Sequence, residues 1–278
     1  MTSPGVREGF TGTTSVVTGG ASGIGEALAT EIARRGGRVV VADRQVDRAR
    51  SVAQTIVSAG GQALASALDV RDGDAFMALL ATQDRVDYLF NNAGIVVGGD
   101  ARRLARDDWL AIVDVNLHGV INGVQAALPM MTEQGSGHIV NTASLAGLLP
   151  SPRMVPYAAT KHAVVGLSTS LRAELAPLGI RVSVLCPGAV DTAIADGGKF
   201  GRITAEVDRD QLRRDWQKLR PMPPSVFARK TLDSVLNNRA IIIHPRWWRM
   251  LWWCSRFAPA HYIQLMARAS DHGSQESV

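Results

Sequence analysis

The chain of 278 residues is long enough for one large domain with a well-buried core, and its apolar fraction of 46% and charged fraction of 20% are ordinary for a globular protein. Its 30 basic residues exceed its 25 acidic residues, but they are scattered along the chain, so no basic patch indicates a nucleic-acid partner. Two cysteines are too few for a disulfide framework, no apolar run is long enough to span a bilayer, and the first residues lack the apolar core of a secretory signal, so we expect a cytoplasmic protein.

Short β-branched runs alternate with longer segments of helical periodicity along the chain. The predicted strands are Ser15–Thr18, Arg38–Ala42, Ala63–Ala67, Val86–Phe90, His138–Asn141, Arg181–Leu185 and Ala240–Ile243, and the predicted helices include Gly25–Arg35, Arg48–Ala59, Trp109–Met131 and Tyr157–Leu175. Continuous apolar strands that alternate with helices are typical of parallel strands covered on both faces. We therefore expect an α/β fold, a doubly wound Rossmann-type parallel sheet of about seven strands with helices on both faces.

Two segments depart from this alternation within the single Rossmann-fold domain that we expect for residues 1–278. Ala193–Ser225 is polar, contains a Gly-Gly pair and is bounded by prolines, which is typical of a mobile lid over a substrate site. Residues 244–278 form an extension rich in Trp and Arg. Substrate specificity is expected to depend on these two segments.

A glycine-rich turn connects the first predicted strand to the first predicted helix. Within Val16–Gly25, Gly19 permits a tight turn, Gly23 lets the backbone approach a pyrophosphate, and Gly25 allows the helix to pack closely on the strand. The free N–H groups at the start of the helix favour phosphate binding. The spacing is GxxxGxG and not the more usual GxGxxG, so a purely structural turn remains an alternative.

The second predicted strand is followed by Asp43, at the position where an acidic residue accepts hydrogen bonds from the adenosine ribose hydroxyls. A 2′-phosphate at that position would meet a like charge, which favours NAD over NADP. The neighbouring Arg44 would instead attract the phosphate, so NADP remains the less favoured alternative.

Tyr157 and Lys161 lie four residues apart, on one face of a predicted helix. A nearby ammonium lowers the pKa of a phenol from its ordinary value of about 10, so the tyrosine could exchange a proton with a substrate oxygen at working pH. Ser144 follows a predicted strand at the sheet edge where such sites form, and its hydroxyl could polarise the same oxygen. Each of these features alone is common.

Together these residues resemble the short-chain dehydrogenase/reductase superfamily, in its single-domain branch. The matching residues, which occur in the family's order and cover about the first 190 residues, are Thr18-Gly19 with Gly23-Ile24-Gly25, Asp69-Val70, Asn91-Asn92-Ala93-Gly94, Asn116, Ser144, Tyr157, Lys161, and Pro187-Gly188 with Thr192. The conjunction is specific, although any one of its motifs is not.

The resemblance implies a catalytic tetrad and a cofactor site. The tetrad consists of Asn116, Ser144, Tyr157 and Lys161, with Asn116 holding a water that joins Lys161 to solvent. The residues expected to bind the cofactor are Thr18, Gly19, Ser22, Gly23, Ile24, Gly25, Asp43, Arg44, Asp69, Val70, Asn92, Ala93, Gly94, Tyr157, Lys161, Pro187, Gly188, Val190 and Thr192.

More detailed roles also follow from the resemblance. Asn91 would brace the sheet, and Asp69 would approach the adenine. Val190 and Thr192 would lie near the nicotinamide carboxamide. We predict no metal site, because the histidines show no ligand spacing, and we interpret His162, beside Lys161, as structural.

Four of the six tryptophans lie in the seven residues from Trp247 to Trp253. On a helix, Trp248, Leu251 and Trp252 would share one side, whereas Trp247 and Trp253 would point elsewhere. One interpretation is that the rings cover the substrate pocket or pack against a sister subunit. The other is that rings and neighbouring arginines make a peripheral membrane contact. Both remain open.

The motifs therefore predict an oxidoreductase that transfers a hydride between a nicotinamide cofactor, NAD, and an alcohol or ketone, which would be lipophilic if the rings line the pocket. The resemblance implies a homodimer or homotetramer. Two alternatives are a catalytically silent cofactor-binding regulator and a membrane-associated interaction protein. The intact tetrad argues against the regulator.

Overall fold

The computed structural model describes residues 9–193, 201–203, 214 and 216–275. The strands are β1 Thr14–Thr18, β2 Arg38–Asp43, β3 Gln62–Ala67, β4 Tyr88–Asn91, β5 Val96–Gly98, β6 Gly137–Thr142, β7 Ile180–Pro187, β8 Gly201–Ile203 and β9 Ile241–His244. The helices are α1 Gly23–Arg34, α2 Val46–Ser58, α3 Gly73–Ala81, α4 Arg106–Val113, α5 Gly119–Glu133, α6 Val155–Leu175, α7 Pro224–Leu236, α8 Trp248–Phe257 and α9 Pro259–Gln275.

A seven-stranded sheet with the order β3-β2-β1-β4-β6-β7-β9 forms the centre of the molecule, and all its described pairings are parallel. The chain order reverses between β1 and β4, so a crevice opens beyond the carboxyl ends of these two strands. In doubly wound sheets this is the place where nucleotides bind. The predicted doubly wound, Rossmann-type sheet of about seven strands is confirmed.

The sheet is covered on both faces, and each face has its own apolar core. Helices α3, α5 and α6 cover one face, where Phe76, Val124 and Val164 are buried. Helices α1, α2 and α7 cover the other, where Ile32 and Phe227 are fully buried. Burial of each of these side chains contributes about 1.5–3 kcal/mol, and the two layers hold the strand ends that carry the site in fixed positions.

The two edges of the sheet differ in how well they are covered. The expectation that every predicted strand is covered on both faces is wrong for β3, where exposed and half-buried residues alternate and Leu64 is 50% exposed. A strand at a sheet edge has a neighbour on one side only, which explains its exposure. At the opposite edge, Ile242 and Ile243 of β9 are buried.

A small two-stranded sheet lies near the end of β4, where β5 pairs in parallel with β8. The sequence did not predict this pairing. Most of the predicted lid, Ala193–Ser225, lies outside the described residues. At its far end, Met222 exchanges backbone hydrogen bonds with Ala189 and Asp191, which ties the segment back to the end of β7.

The extension at the C-terminus folds into α8 and α9, beside the β9 edge. Helix α8 packs on β9, and α9 packs mainly on α8. Trp248 and Trp252 are the half-buried tryptophans of α8, whereas Trp247 and Trp253 are each 47% exposed, as the helical periodicity predicts. Among the described residues, we find no helix that is both long and apolar enough to cross a bilayer.

Candidate active site

The glycine-rich turn lies at the carboxyl end of β1 and leads directly into α1. Gly19 and Gly23 have φ angles of +64° and +57°, in the left-handed region that favours glycine. A Cβ atom on Gly19 would lie 2.8 Å from the Cα atom of Ala93, and one on Gly25 would overlap the carbonyl oxygen of Gly19. The turn is therefore a cradle that side chains would fill, which is the backbone approach that a pyrophosphate requires.

The first turn of α1 offers N–H groups that have no acceptor within the helix. Ser22 occupies the N-cap position, but its side chain makes no capping hydrogen bond. Ser22, Gly23 and Ile24 are half-buried residues of the same turn. The positive end of the helix dipole lies here as well, so the turn fits a phosphate group.

Thr18 fastens the end of β1 to the end of β4. Its hydroxyl accepts hydrogen bonds from the backbone N–H groups of Asn92 and Ala93, at 3.0 and 3.1 Å, and donates to the carbonyl of Phe90. The amide of Asn92 donates in turn to the carbonyl of Thr18, at 3.1 Å. These bonds hold Ala93 and Gly94 against the glycine-rich turn.

Asp43 ends β2 and points toward the glycine-rich turn. Its carboxylate accepts hydrogen bonds from the backbone N–H groups of Ala21, at 3.1 Å, and Gln45, at 2.9 Å. Each oxygen keeps a further lone pair, so the carboxylate can also accept a ribose hydroxyl. Arg44 is exposed beside it.

Asp69 and Val70 follow β3 on the same side of the crevice. The guanidinium of Arg71 binds both carboxylate oxygens of Asp69 and holds the pKa of that carboxyl below its ordinary value. The carbonyl of Val70 accepts a hydrogen bond from Asn122, which fixes the loop against α5. Asp69 is therefore an ionised group at this rim.

Tyr157 and Ser144 meet at the carboxyl end of β6. Ser144 caps the 3-10 turn at Leu145–Gly147, with its Oγ accepting from the backbone N–H of Ala146. The side chain of Ser144 lies close enough to the half-buried Tyr157 to favour its phenolate form, which lowers the pKa of Tyr157. Two hydroxyl groups are thus positioned to bind one substrate oxygen.

Lys161 lies one helical turn beyond Tyr157, with its ammonium 5.6 Å from the centre of the Tyr157 ring. Its Nζ donates to the carbonyl of Thr142, at 2.8 Å, and the side chain is buried. Burial disfavours the charged form and lowers the pKa of Lys161 to about 8.

The prediction of a net lowering of the pKa of Tyr157 is wrong for this structure. Burial raises the pKa of Tyr157 above its ordinary value, and the nearby Ser144 side chain offsets this only in part. The physical reason is desolvation, which penalises the phenolate more than neighbouring donors stabilise it. Tyr157 therefore holds its proton at neutral pH.

Asn116 lies inside a π-helical turn, Asp114–His118, that joins α4 to α5. The sequence predicted one helix here, Trp109–Met131. In the structure this helix contains a π-helical turn at Asn116. Single π-turns within helices often occur at functional sites. The amide of Asn116 accepts from the backbone N–H of Ile95, at 2.8 Å, and donates to its carbonyl, at 2.9 Å. Its role in a proton relay stays a prediction.

The residues at the end of β7 are the last group of predicted cofactor-binding residues. Pro187 is buried, and a Cβ atom on Gly188 would overlap the indole of Trp248. The indole Nε1 of Trp248 is buried and has no hydrogen-bond partner. Val190 is buried in the core between the sheet and α7, whereas the methyl group of Thr192 approaches Gly23.

Several residues around the site were not singled out from the sequence. The carbonyl of Thr142 holds Lys161, Ile95 holds Asn116, and the buried thiol of Cys186, whose pKa burial raises to about 12, lies next to Lys161. Of these, Thr142 had a signal, because it ends the strand that precedes Ser144. The others depend on tertiary contacts.

The remaining predictions concern side chains outside the tetrad. Asn91 bonds Asn141 across β4 and β6, at 2.9 Å, as a residue that braces the sheet would. His162 is exposed and contacts the Ala158 carbonyl of its own helix. Within the described part of the chain, no cluster of His, Cys, Asp or Glu side chains could hold a metal ion.

Known proteins share both the sequence and the fold. The model of the short chain dehydrogenase family matches residues 13–199. An uncharacterized oxidoreductase of Listeria innocua is 38% identical over 187 residues, which cover 65% of this chain and 75% of that relative.

Solved structures extend the similarity over most of the chain. A short chain dehydrogenase/reductase from Burkholderia phymatum, in complex with NAD, is 33% identical with a TM-score of 0.81, covering 92% of this chain and 96% of its own. A putative NAD(P)-dependent gluconate 5-dehydrogenase from Beutenbergia cavernae, with bound NADP at low occupancy, is 31% identical with a TM-score of 0.75, covering 84% and 96%.

Proposed function

Since the chain belongs to the short chain dehydrogenase family and is a nicotinamide-dependent oxidoreductase, we propose that it interconverts a lipophilic alcohol and the corresponding ketone with NAD(H). The observation that carries the proposal is the proximity of Ser144 and Lys161 to Tyr157: the Ser144 side chain favours the phenolate form of Tyr157, and the Lys161 ammonium lies 5.6 Å from the tyrosine ring. A catalytically silent regulator would have no need of this arrangement.

The residues that would hold the cofactor fit it. The cradle at Gly19 and Gly23 and the free N–H groups of α1 suit the pyrophosphate, and Asp43 suits the adenosine ribose. Pro187 and Gly188 would shape the nicotinamide pocket. When bound, the nicotinamide supplies or accepts the hydride.

The side chains of this chain supply the proton. In ketone reduction, the Tyr157 hydroxyl protonates the substrate oxygen while the adjacent carbon gains the hydride; in alcohol oxidation both transfers are reversed. Ser144 orients the oxygen through its hydroxyl. Lys161, held by the Thr142 carbonyl, stabilises the phenolate that forms, and Asn116 would connect it to solvent.

Preference for NAD is supported by the charge at Asp43. Its carboxylate lies in a network of two backbone N–H groups, where it can accept a ribose hydroxyl and would repel a 2′-phosphate. Arg44 is exposed next to it and supports the weaker use of NADP. Related structures contain either cofactor, so this preference is a proposal for this chain.

A lipophilic substrate is supported by apolar groups around the two hydroxyls. Leu145 and Leu148 of the turn after Ser144 are half-buried, and the Trp248 indole packs against Gly188. The two leucine side chains have no group that could form a hydrogen bond with a polar substrate. The homodimeric or homotetrameric state and the cytoplasmic location stay predictions.

A substrate panel tests the proposal. Secondary alcohols and ketones of increasing chain length, together with polyol and sugar controls, are assayed with NAD(H) and with NADP(H). We expect kcat/KM to rise with chain length and to be greater with NAD(H). Equal or greater activity on the polyols would contradict the lipophilic assignment, and a preference for NADP(H) would contradict the cofactor assignment.

A further inference from the structure

The charge of the C-terminal segment is unlike that of the rest of the chain. Residues 241–270 contain no Asp or Glu, whereas they contain Arg246, Arg249, Arg256 and Arg268. The nearest acidic residues in sequence are Asp233 and Asp271, so Arg246, Arg249 and Arg256 have no neighbouring carboxylate in sequence. The segment is therefore a continuous cationic region that includes all of α8.

Helix α8 has a second apolar face that the domain does not cover. Trp248 and Trp252 turn toward the core, while Met250, Trp253 and Phe257 turn away from it and are 71%, 47% and 82% exposed. The rings of Trp253 and Phe257 stack on one another, with centroids 5.9 Å apart. We call these three exposed residues the α8 outer face.

Arginines border this face. At 100° per residue, Arg249 and Arg256 fall between the inner and outer faces of α8, seven residues apart. The guanidinium of Arg256 lies 5.7 Å from the centre of the Trp252 ring, a cation–π distance. Apolar side chains flanked by long cationic ones match the boundary between acyl chains and lipid headgroups.

Other occupants of this face are disfavoured by its composition. A second copy bound through the same face in a two-fold dimer would bring an acid-free, arginine-bearing segment against itself. Single-stranded nucleic acid would use aromatic rings for base stacking, but the two rings of this face already stack on one another, and Met250 adds no ring. An anionic bilayer complements both the charge and the apolar side chains.

We infer that the α8 outer face seats the protein on an anionic phospholipid bilayer, with Met250, Trp253 and Phe257 at the acyl-chain boundary and Arg249 and Arg256 at the headgroups. The opposite side of the same helix places Trp248 against Gly188. A lipophilic substrate can then reach the pocket from the bilayer. This use of the surface rests on the proposed function, whereas the binding of lipid does not.

Vesicle flotation tests the surface directly, with the full chain and without any substrate. Vesicles of phosphatidylcholine alone are compared with vesicles that contain about 30% phosphatidylglycerol, at about 0.1 M and about 1 M salt. We expect flotation with the anionic vesicles at low salt, and loss of flotation with the neutral vesicles and at high salt.

Two sets of variants separate the apolar from the cationic contribution. Trp253→Ser with Phe257→Ser should weaken binding to anionic vesicles at least about tenfold. Arg249→Gln with Arg256→Gln should weaken it about fivefold for each arginine. Matched controls lie at the opposite edge of the sheet: Leu64→Ser with Met77→Ser, both 50% exposed, and Arg48→Gln with Arg50→Gln.

NADH binding by each variant shows that it is folded. If the wild-type chain does not float with anionic vesicles at low salt, or if the α8 variants bind as well as the controls, the inference is wrong. If the α8 variants instead dissociate an oligomer in sedimentation velocity and leave flotation unchanged, the face belongs to a second copy. Failure of the substrate panel with intact flotation would contradict the proposed function alone.

Discussion

The carboxyl edge of the sheet and the C-terminal helices differ in how their residues are held. At the sheet edge, hydrogen bonds within the chain fix several groups that build the site: Thr18 joins two strands, and the Thr142 carbonyl holds Lys161. On α8, only one side packs on the domain, and Met250 and Phe257 are exposed on the other. The first arrangement suits chemistry that needs fixed positions; the second leaves a surface for a partner.

The ionisable groups of the two regions differ in burial. At the site burial lowers the pKa of Lys161 to about 8 and raises that of Tyr157, which are the shifts expected of groups enclosed for proton transfer. On α8, Arg249 and Arg256 remain exposed. Substitutions should therefore have large effects on turnover at the sheet edge and small ones on the outer side of α8.

The largest effect is expected at Ser144. Ser144→Ala removes the hydroxyl that lies beside Tyr157 and that we propose to orient the substrate oxygen, so kcat should fall about 10²- to 10³-fold. Steady-state kinetics on any substrate found in the panel would measure this. The control Ser136→Ala, an exposed serine before the opposite end of β6, should retain full activity. If kcat of Ser144→Ala falls only threefold or less, the activation free energy has changed by on the order of RT, and Ser144 has no part in the mechanism.

Lys161 provides a test through pH and stability. The pKa of Lys161 is about 8 in the folded chain, whereas its ordinary value is 10.5. Between pH 8 and pH 10.5 the unfolded chain therefore binds more protons than the native one. The free energy of unfolding of the wild type should therefore rise relative to Lys161→Met by about 3 kcal/mol across this interval. Chemical denaturation at successive pH values checks this, with the exposed Lys230→Met as the control. If the unfolding free energies of the wild type and Lys161→Met depend on pH in the same way, the lowered pKa of Lys161 is contradicted.

Asp43 should decide the cofactor preference. Asp43→Ser removes the acceptor for the ribose hydroxyl, so the ratio of kcat/KM for NAD(H) to that for NADP(H) should fall about ten- to hundredfold. The exposed Asp47→Ser, at the start of α2, is the matched control and should leave the ratio unchanged. An unchanged ratio in Asp43→Ser would show that another residue sets the preference.

The two sides of α8 should respond differently to the same change. Trp248→Ala removes a ring that packs on Gly188 and the core, and it should lower the free energy of unfolding by about 2 kcal/mol and raise KM. Trp253→Ala should change stability by no more than about 0.5 kcal/mol and leave turnover in solution unaltered. Thermal unfolding of both variants checks this; equal losses would mean that the outer side is packed as well.

The sequence predicted the sheet because its signals are local. Continuous apolar runs gave the seven strands of the sheet, and glycines at Gly19 and Gly23 have the positive φ angles that the turn requires. The three-residue strand Val96–Gly98 and the π-turn at Asp114–His118 were missed. A strand of three residues and a single π-turn are too short to produce a recognisable periodicity of apolar residues in the sequence.

The site was predicted as a set of residues but not as an electrostatic environment. Spacing and family resemblance grouped Ser144, Tyr157 and Lys161. In the structure the Ser144 side chain affects the pKa of Tyr157, and the Lys161 ammonium lies 5.6 Å from the centre of its ring. The pKa of Tyr157 could not be predicted, because it depends on burial by segments distant in sequence. The same is true of Trp248, whose packing against Gly188 joins residues sixty positions apart.

The most direct test of the central claim is the fate of the transferred hydrogen. NADH deuterated at the transferred position is incubated with the preferred ketone, and the product alcohol is examined by mass spectrometry for the wild type and for Tyr157→Phe. We predict deuterium on the carbinol carbon with the wild type, and at least about a hundredfold slower labelling by a Tyr157→Phe variant that still binds NADH. Labelling at the wild-type rate by Tyr157→Phe would contradict the account.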